Sequence, residues 1–294
     1  MNLVRHIVAV TLVGTLGLAA ASGQSPQPAD SRSREIGRTT EKEIKVVLSS
    51  SFGTLAIEKG EPEKIVIVDT RSGDGTPPVR IDYSIRNRVG YMDVALGETD
   101  GEGEGKGGMR FSDLGKAKWD LRFSDAVPIS FEVELGAGTG TFDLSGLDIK
   151  DFNLSTGASE VSLAFDEPNK SRIENLNIES GVSQFEGRNL GNANFHRLKF
   201  QGGVGSYHLD FSGSLNQEVD VDAEVGLGVL TLIIPDNIGA RIFYQKSWMS
   251  SIALDADFRS TGEGEYTTDN YSNAAGKMNI RLDSGLGSIK IRRH

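Results

Sequence analysis

The sequence predicts an all-β protein whose strands stack as the coils of a β-solenoid, and three observations support this class. A glycine-containing motif recurs about every 22 residues, apolar residues alternate on both sides of it, and helical periodicity is absent outside the N-terminal leader. A fixed period of this length is typical of repeat architectures. A β-sandwich also has short alternating strands and is the alternative, but the near-constant period favours the solenoid.

The six clear copies of the motif share one pattern of apolar positions. Residues five and three positions before the first glycine are apolar, and beyond the motif the apolar positions shift by one. Strand side chains alternate with a strict period of two, so this shift requires a bulge or a corner, which glycine permits. The motif is therefore predicted to be a corner whose central residue is buried. The central residues are Ala137, Ala158, Val182, Val204, Leu227 and Leu286.

Two weaker copies of the pattern lie upstream of the clear ones. One contains Phe52-Gly53 with Ser51 in place of the first glycine, and the other contains Val89-Gly90 with Arg88 in that place. Units this short cannot bury their own apolar face, so they are expected to stack on one another.

The N-terminal leader resembles a signal peptide. Arg5 gives it a positive start, residues 7–20 are apolar, and small residues follow at 21–23. No other segment is apolar enough to cross a bilayer, so the mature chain is predicted to be exported to the periplasm or cell surface without a membrane span. The chain has no cysteine, which excludes disulfides, thiolate metal sites and a lipid-modified cysteine.

The predicted organisation follows from these features. Residues 1–23 form the signal peptide and residues 24–42 a flexible polar linker. Degenerate repeats over 43–118 form a less regular N-terminal β cap. Coils of about 22 residues form the solenoid over 119–294, with an insertion at 236–279.

Charge and motif context argue against nucleic acids and nucleotides as ligands. The net charge of −10 opposes phosphate binding, which requires a positive field. Residues 101–108 contain a formal Gly-x-Gly-x-x-Gly, but four carboxylates between residues 98 and 104 would repel a pyrophosphate. No helix follows this segment, as a dinucleotide-binding loop requires.

Carboxylates are the only candidates for catalysis. Some β-helix enzymes cleave acidic polysaccharides with calcium-bridged carboxylates on an outer face. However, an outer face that alternates with an apolar inner face is expected to be charged in any case. The sequence therefore predicts no enzyme and no catalytic, cofactor-binding or metal-binding residues. The candidates considered are Asp220, Asp222 and Glu224 on one strand and Asp143, Asp148 and Asp151 near an earlier corner.

The histidines do not form a recognisable site. His196, His208 and His294 are separated in the sequence, whereas metal sites and catalytic triads need clustered partners. Residues 202–210 resemble a calcium-binding nonapeptide, but Tyr207 stands where that motif needs a carboxylate. His196 and His208 are predicted to face solvent, and none of these residues is predicted to bind a ligand.

At the level of family, "WDLRFSDAVPISFEVELGAGTGTFDLSGLDIKDFNLSTGASEVSLAF" resembles the toast-rack family of bacterial envelope proteins. The shared features are Trp119, Val127-Pro128, the coil corner at 136–138 and the Asp-Leu-Ser-Gly-Leu run at 143–147. The later stretch "DAEVGLGVLTLIIPDNIGARI" resembles the LiaF-like C-terminal and putative-adhesin β-repeat domains. The resemblance covers about residues 43–292. It implies a right-handed single-stranded β-helix in the envelope, with no catalytic residues to carry over.

The predicted function is a non-catalytic, exported envelope scaffold or adhesion-type interaction module. Its expected partner is an envelope protein or a second copy bound through a solenoid edge, and the final strand, residues 288–292, is predicted to lie at or beside an open edge. One alternative is a glycan-binding or polysaccharide-cleaving β-helix, which needs an aromatic outer groove near Phe243, Tyr244 and Trp248. Another is an envelope-stress sensor, which the family resemblance suggests.

Overall fold

The computed structural model describes residues 30–72, 79–96, 117–245 and 249–294, and the predicted signal peptide and the segment 101–108 lie outside them. The described residues contain one short 3-10 helix, Leu190–Ala193, and no helix long and apolar enough to cross a bilayer. The strands are β1 Asp30–Gly37, β2 Glu43–Lys59, β3 Lys64–Ser72, β4 Arg80–Arg86, β5 Val89–Leu96, β6 Lys118–Phe123, β7 Ile129–Asp143, β8 Ile149–Ala164, β9 Ile173–Arg188, β10 Phe195–Asp210, β11 Glu218–Ile234, β12 Gly239–Gln245, β13 Ser250–Leu254, β14 Phe258–Gly262, β15 Glu265–Thr268 and β16 Lys277–Arg293.

The centre of the molecule is a β-solenoid, as predicted. Strands β2, β7, β8, β9, β10, β11 and β16 pair in that order, all parallel, and each supplies most of one coil. Equivalent positions of the repeat face one another, so inward side chains stack in columns. Phe131 and Phe152 have ring centroids 6.2 Å apart, and Phe185 and Phe200 are 5.3 Å apart. The sandwich alternative is wrong because the strands form one continuous parallel stack.

The corner of each coil shows the predicted shift of parity but not the predicted burial. In β7 the inward positions are odd up to Leu135 and even from Gly140, as expected. The residues between include two consecutive outward positions, the first glycine and the central residue. Val204 and Leu227, predicted to be buried, are 44% and 45% exposed. Two neighbouring residues on the convex side of the bend are what change the parity, so the central residue faces solvent.

The N-terminal cap contains one of the two predicted degenerate repeats. Phe52 and Gly53 lie in register with Ala137 and Gly138, so β2 is a true coil. The second proposed copy is wrong, because β4 and β5 are an antiparallel hairpin. Asn87 and Arg88 both have positive φ, 52° and 64°, which suits a tight hairpin turn and not a solenoid corner. The predicted linker also contains a strand, since β1 pairs with β3.

The C-terminal strand lies beside an edge and not at it. Strand β16 is paired on one side with β11 and on the other with β12 and β13, and among the described strands β13 pairs only with β16. After β11 the chain forms β12 to β15. It then returns so that β16 lies between β11 on one side and β12 and β13 on the other. Arg292 pairs with Asp255 at 3.0 Å, and Arg293 pairs with Asp257 at 3.0 Å. These cations therefore hold the end of the chain in place.

Candidate interaction surface

The outward central residues form a continuous apolar row, which we call the corner strip. It consists of Val182, Val204, Leu227 and Leu286 on consecutive coils, and Met249 at its end. Val182 is 64% exposed, Leu286 37% and Met249 43%. The backbone nitrogen of Gly287 donates to the Met249 carbonyl at 3.4 Å, which places Met249 beside Leu286. With coils about 4.8 Å apart, the strip is about 20 Å long.

Close stacking of the coils explains why a glycine precedes each repeat residue of the corner strip. A Cβ at Gly226 would lie 2.8 Å from the carbonyl oxygen of Gly203, and one at Gly285 would lie 2.7 Å from that of Gly226. These separations are too short for a side chain, so the first position of the motif stays glycine where the coils stack. Val182, Val204, Leu227 and Leu286 therefore each follow a residue that has no side chain.

A column of carboxylates runs beside the corner strip, two residues before the first glycine of the motif. Glu179, Glu224 and Asp283 occupy this column on the coils of the strip and are exposed. Gln201 lies between the two glutamates and donates to Glu224 at 3.2 Å. Within the described residues none of the three carboxylates has an ion-pair partner. We call this set the acidic column.

On the opposite flank of the strip the corresponding column is uncharged. It contains Gln184, Ser206, Val229 and Ser288 on the same four coils. The two columns nearest the strip therefore differ in charge, with carboxylates in one and uncharged residues in the other.

A cleft of about 420 Å³ lies next to the acidic column, between the sheet face and the β14–β15 turn. The exposed ring of Phe243 forms part of its wall. Glu263 and Glu265 from the turn add to the carboxylates of the sheet, while Lys199 and Arg281 are its basic residues.

Asp220 and Asp222, two of the carboxylates considered for catalysis, form ion pairs across the coils, whereas Glu224 belongs to the acidic column. Asp222 points outward, as predicted, and pairs with Arg281 at 3.0 Å and Arg197 at 3.7 Å. Asp220 pairs with Arg197 at 3.4 Å. These cross-coil pairs balance charge along the stacked outer face.

The three aspartates near the earlier corner accept hydrogen bonds that shape turns and adjacent strands. Asp143 accepts from the backbone of Ser145 at 3.1 Å, and Asp148 accepts from the backbone of Ser171 at 2.9 Å. Asp151 accepts from the hydroxyl of Ser130 at 2.9 Å. The three carboxylates thus have separate local partners.

The histidines remain apart in the structure. His196 contacts Arg172 at 3.0 Å, and His294 contacts Ser212 at 3.0 Å. No group of three or more histidine, cysteine, aspartate or glutamate residues suited to a metal ion occurs in the described part of the chain.

The proposed aromatic cluster is only partly formed as a surface. Phe243 is exposed in the cleft, but Tyr244 is buried and its hydroxyl is hydrogen-bonded to Ser250. Trp248 lies outside the described residues.

Sequence reasoning missed the corner strip because it assigned every apolar position of the repeat to the core. The signal was present for the four strip residues on the repeat coils: Val182, Val204, Leu227 and Leu286 each have a glycine before them and a small residue after them, as a convex corner requires. The contribution of Glu263 and Glu265 had no local signal, because their position depends on how the β14–β15 hairpin folds back.

Comparisons with known proteins agree with this architecture. A family model described as the N-terminal domain of toast-rack matches residues 25–188 and 175–233. No curated protein matches the chain.

Solved structures are also similar to this chain. One is titled "putative cell adhesion protein" from Clostridium sporogenes, with 18% identity, 90% of this chain and 100% of that chain covered, and a TM-score of 0.46. Another is titled "putative adhesin" from Bacteroides fragilis, with 13% identity, 90% and 98% coverage, and a TM-score of 0.37.

Proposed function

The chain belongs to the toast-rack family, and on that premise we propose that it is a non-catalytic, exported interaction module of the bacterial envelope. The corner strip is the observation that carries this proposal. Contiguous exposed apolar side chains are uncommon on soluble proteins unless they contact a partner. The strip is built from repeated positions of the fold, so it presents one continuous surface rather than scattered residues.

The five aspartates considered for catalysis support a non-catalytic role, while Glu224, the sixth carboxylate considered, accepts a hydrogen bond from Gln201. A general acid or base must be free to exchange a proton with a substrate. Asp220 and Asp222 are engaged by Arg197 and Arg281, and the remaining aspartates accept hydrogen bonds within turns or between strands. This arrangement suits an outer face that stabilises the coil stack.

The energetics of the strip suit a protein partner. Burial of apolar surface contributes about 25 cal/mol per Å², so covering each partly exposed strip side chain contributes on the order of 1 kcal/mol. Five such residues at the centre of an interface would form its apolar core, and the charged residues around them would form its rim.

Site-specific photo-crosslinking in the bacterium that produces the chain tests this proposal. A crosslinking residue replaces Val204 in the strip or, as a control, Val47 on the flat face of β2. The two valines are matched, at 44% and 43% exposed. We expect a discrete protein adduct from position 204 in the envelope fraction and none from position 47. Equal adducts at both positions, or none at 204, would contradict the proposal.

Glycan binding is a second candidate, and the exposed ring of Phe243 in the cleft favours it. Aromatic rings offer flat apolar surface with room for polar neighbours, as sugar binding requires. For a glycan-binding protein we expect Phe243→Ala to weaken retention of the chain on envelope polysaccharide. For a polysaccharide-cleaving enzyme we expect the unaltered chain also to release new reducing ends. Unchanged retention would remove this candidate.

A further inference from the structure

We propose that the corner strip and the acidic column together bind a basic amphipathic helix, whose apolar stripe covers the strip and whose lysine or arginine side chains meet the carboxylates. This inference rests on the proposed function and names the class of partner. It is carried by the spacing of the strip residues and by the one-sided charge beside them.

The spacing of the strip fits a helix better than a strand. Neighbouring coils lie about 4.8 Å apart, while a helix presents one apolar side chain about every 5.4 Å along its stripe. Side chains on one face of an extended strand lie about 6.7 Å apart, so a strand laid along the strip would be out of register with the strip residues within two coils. A helix of about 14 residues has the length of the five-residue strip.

The charges beside the strip specify a basic partner. Glu179, Glu224 and Asp283 are exposed and lack ion-pair partners among the described residues, in contrast to the paired Asp222. Glu263 and Glu265 extend the negative field across the cleft. The nearest column on the opposite flank is uncharged, so the complementary helix carries its basic residues along one side of its apolar stripe.

The same charges argue against two other occupants. A second copy would bring another acidic column and another net charge of −10 to the interface. An anionic lipid surface would also be repelled, because its negative charge and that of the acidic column repel each other at short range. Both remain distinguishable outcomes of the experiment.

The experiment measures the binding of two designed peptides to the purified chain, residues 24–294, by fluorescence anisotropy. Both peptides have about 14 residues and the same leucine stripe, and one flank carries either lysines or glutamates. We expect the lysine peptide to bind at least about tenfold more tightly than the glutamate peptide, with affinity that falls as salt rises.

Variants of the chain separate the two halves of the surface. Val204→Ser with Leu227→Ser removes part of the strip, and Glu224→Gln with Asp283→Asn removes charge from the column. We expect each pair of substitutions to weaken binding of the lysine peptide about tenfold. Val47→Ser and Glu58→Gln are the controls, because both residues are exposed on β2, away from the coils of the strip, and they should leave affinity unchanged.

The outcomes distinguish this inference from the proposed function. Equal binding of both peptides, abolished by the strip variant, overturns the basic partner but leaves an apolar interaction surface. Lysine-peptide binding that survives the strip variant overturns both, because simple ion pairing then explains it. Three other outcomes overturn the inference: no binding of either peptide, binding to phosphatidylglycerol vesicles that depends on the strip, and dimerisation in sedimentation that depends on the strip. In each case the crosslinking experiment tests the proposed function separately.

Discussion

Three glycines in the third position of the corner motif combine a rare backbone conformation with a close backbone contact. Gly138, Gly228 and Gly287 have φ of +131°, +139° and +146°, and a Cβ on any of them would overlap the carbonyl oxygen of the preceding coil. Ser159 occupies the same position in β8, so the requirement is specific to coils that bend in this way. The parity shift in the sequence predicts where the corner lies. It cannot predict which coils need positive φ, since that depends on the neighbouring coil.

Replacing Gly228 with alanine tests this requirement. A side chain at positive φ costs about 1–3 kcal/mol, and the overlap with the Gly205 carbonyl adds to it. We therefore expect a loss of at least about 2 kcal/mol in the free energy of unfolding, measured in urea. Ser159→Ala is the control, because its hydroxyl has no hydrogen-bond partner among the described residues, and it should be nearly neutral.

Glu41 has a buried carboxylate, although the sequence analysis predicted that this residue lies in a flexible linker. Burial raises its pKa, but hydrogen bonds from the Tyr83 hydroxyl, its own backbone amide and the Thr39 backbone and hydroxyl outweigh burial and lower the pKa below its usual value. A carboxylate whose pKa is lower in the folded state stabilises the fold above its unfolded pKa. That stability is lost as pH falls through the folded value.

Tyr83→Phe tests this contribution. The variant leaves Glu41 buried with one fewer donor, and we expect a loss of about 1.5–3 kcal/mol at pH 7. The loss should shrink as the pH is lowered from 5 towards 3, because protonated Glu41 no longer needs the donor. Urea unfolding of both proteins across this range measures it, and a difference that does not change with pH would contradict the role of Glu41.

At the scale of elements, strand β16 depends on contacts that a local pattern cannot reveal. Its alternation and corner were predicted from the sequence, since the period of two is local. Its position between β11 and β12 was not, because the chain forms β12 before it returns as β16. Arg293 fixes this return: its side chain is buried, pairs with Asp257, and donates to the carbonyl of Ile238 at 2.9 Å.

Arg293→Gln should therefore destabilise the C-terminal end. The substitution removes the ion pair with the partly exposed Asp257 and the hydrogen bonds to the carbonyls of Asp236 and Ile238, and we expect a loss of about 1.5–3 kcal/mol, measured by thermal unfolding. Lys290→Gln is the matched control, because Lys290 lies on the same strand but is exposed. Equal shifts in melting temperature for both variants would show that Arg293 does not hold the end of the chain.

At the scale of the whole molecule, the two ends of the solenoid are closed by the same arrangement. The terminal coil β2 is covered by β5 along its first half and β6 along its second, and β16 is covered likewise by β12 and β13. Antiparallel strands follow on both ends, including β4 on β5 and β15 on β12. Repeat proteins need such caps, because a bare terminal coil exposes core and unpaired backbone.

A chain that ends at Ile234 removes this C-terminal closure and tests its purpose. Strand β11 then presents an unpaired edge of up to 17 residues, with inward side chains such as Val221 and Leu230 no longer covered on that side. Exposed edges of this kind pair with other chains. We expect the shortened protein to form concentration-dependent oligomers by light scattering, while the chain that retains residues 235–294 stays at a constant mass. Because the full chain keeps β11 paired with β16 along its length, a monomeric shortened protein with an unchanged melting temperature would show that the coils stack stably without a cap.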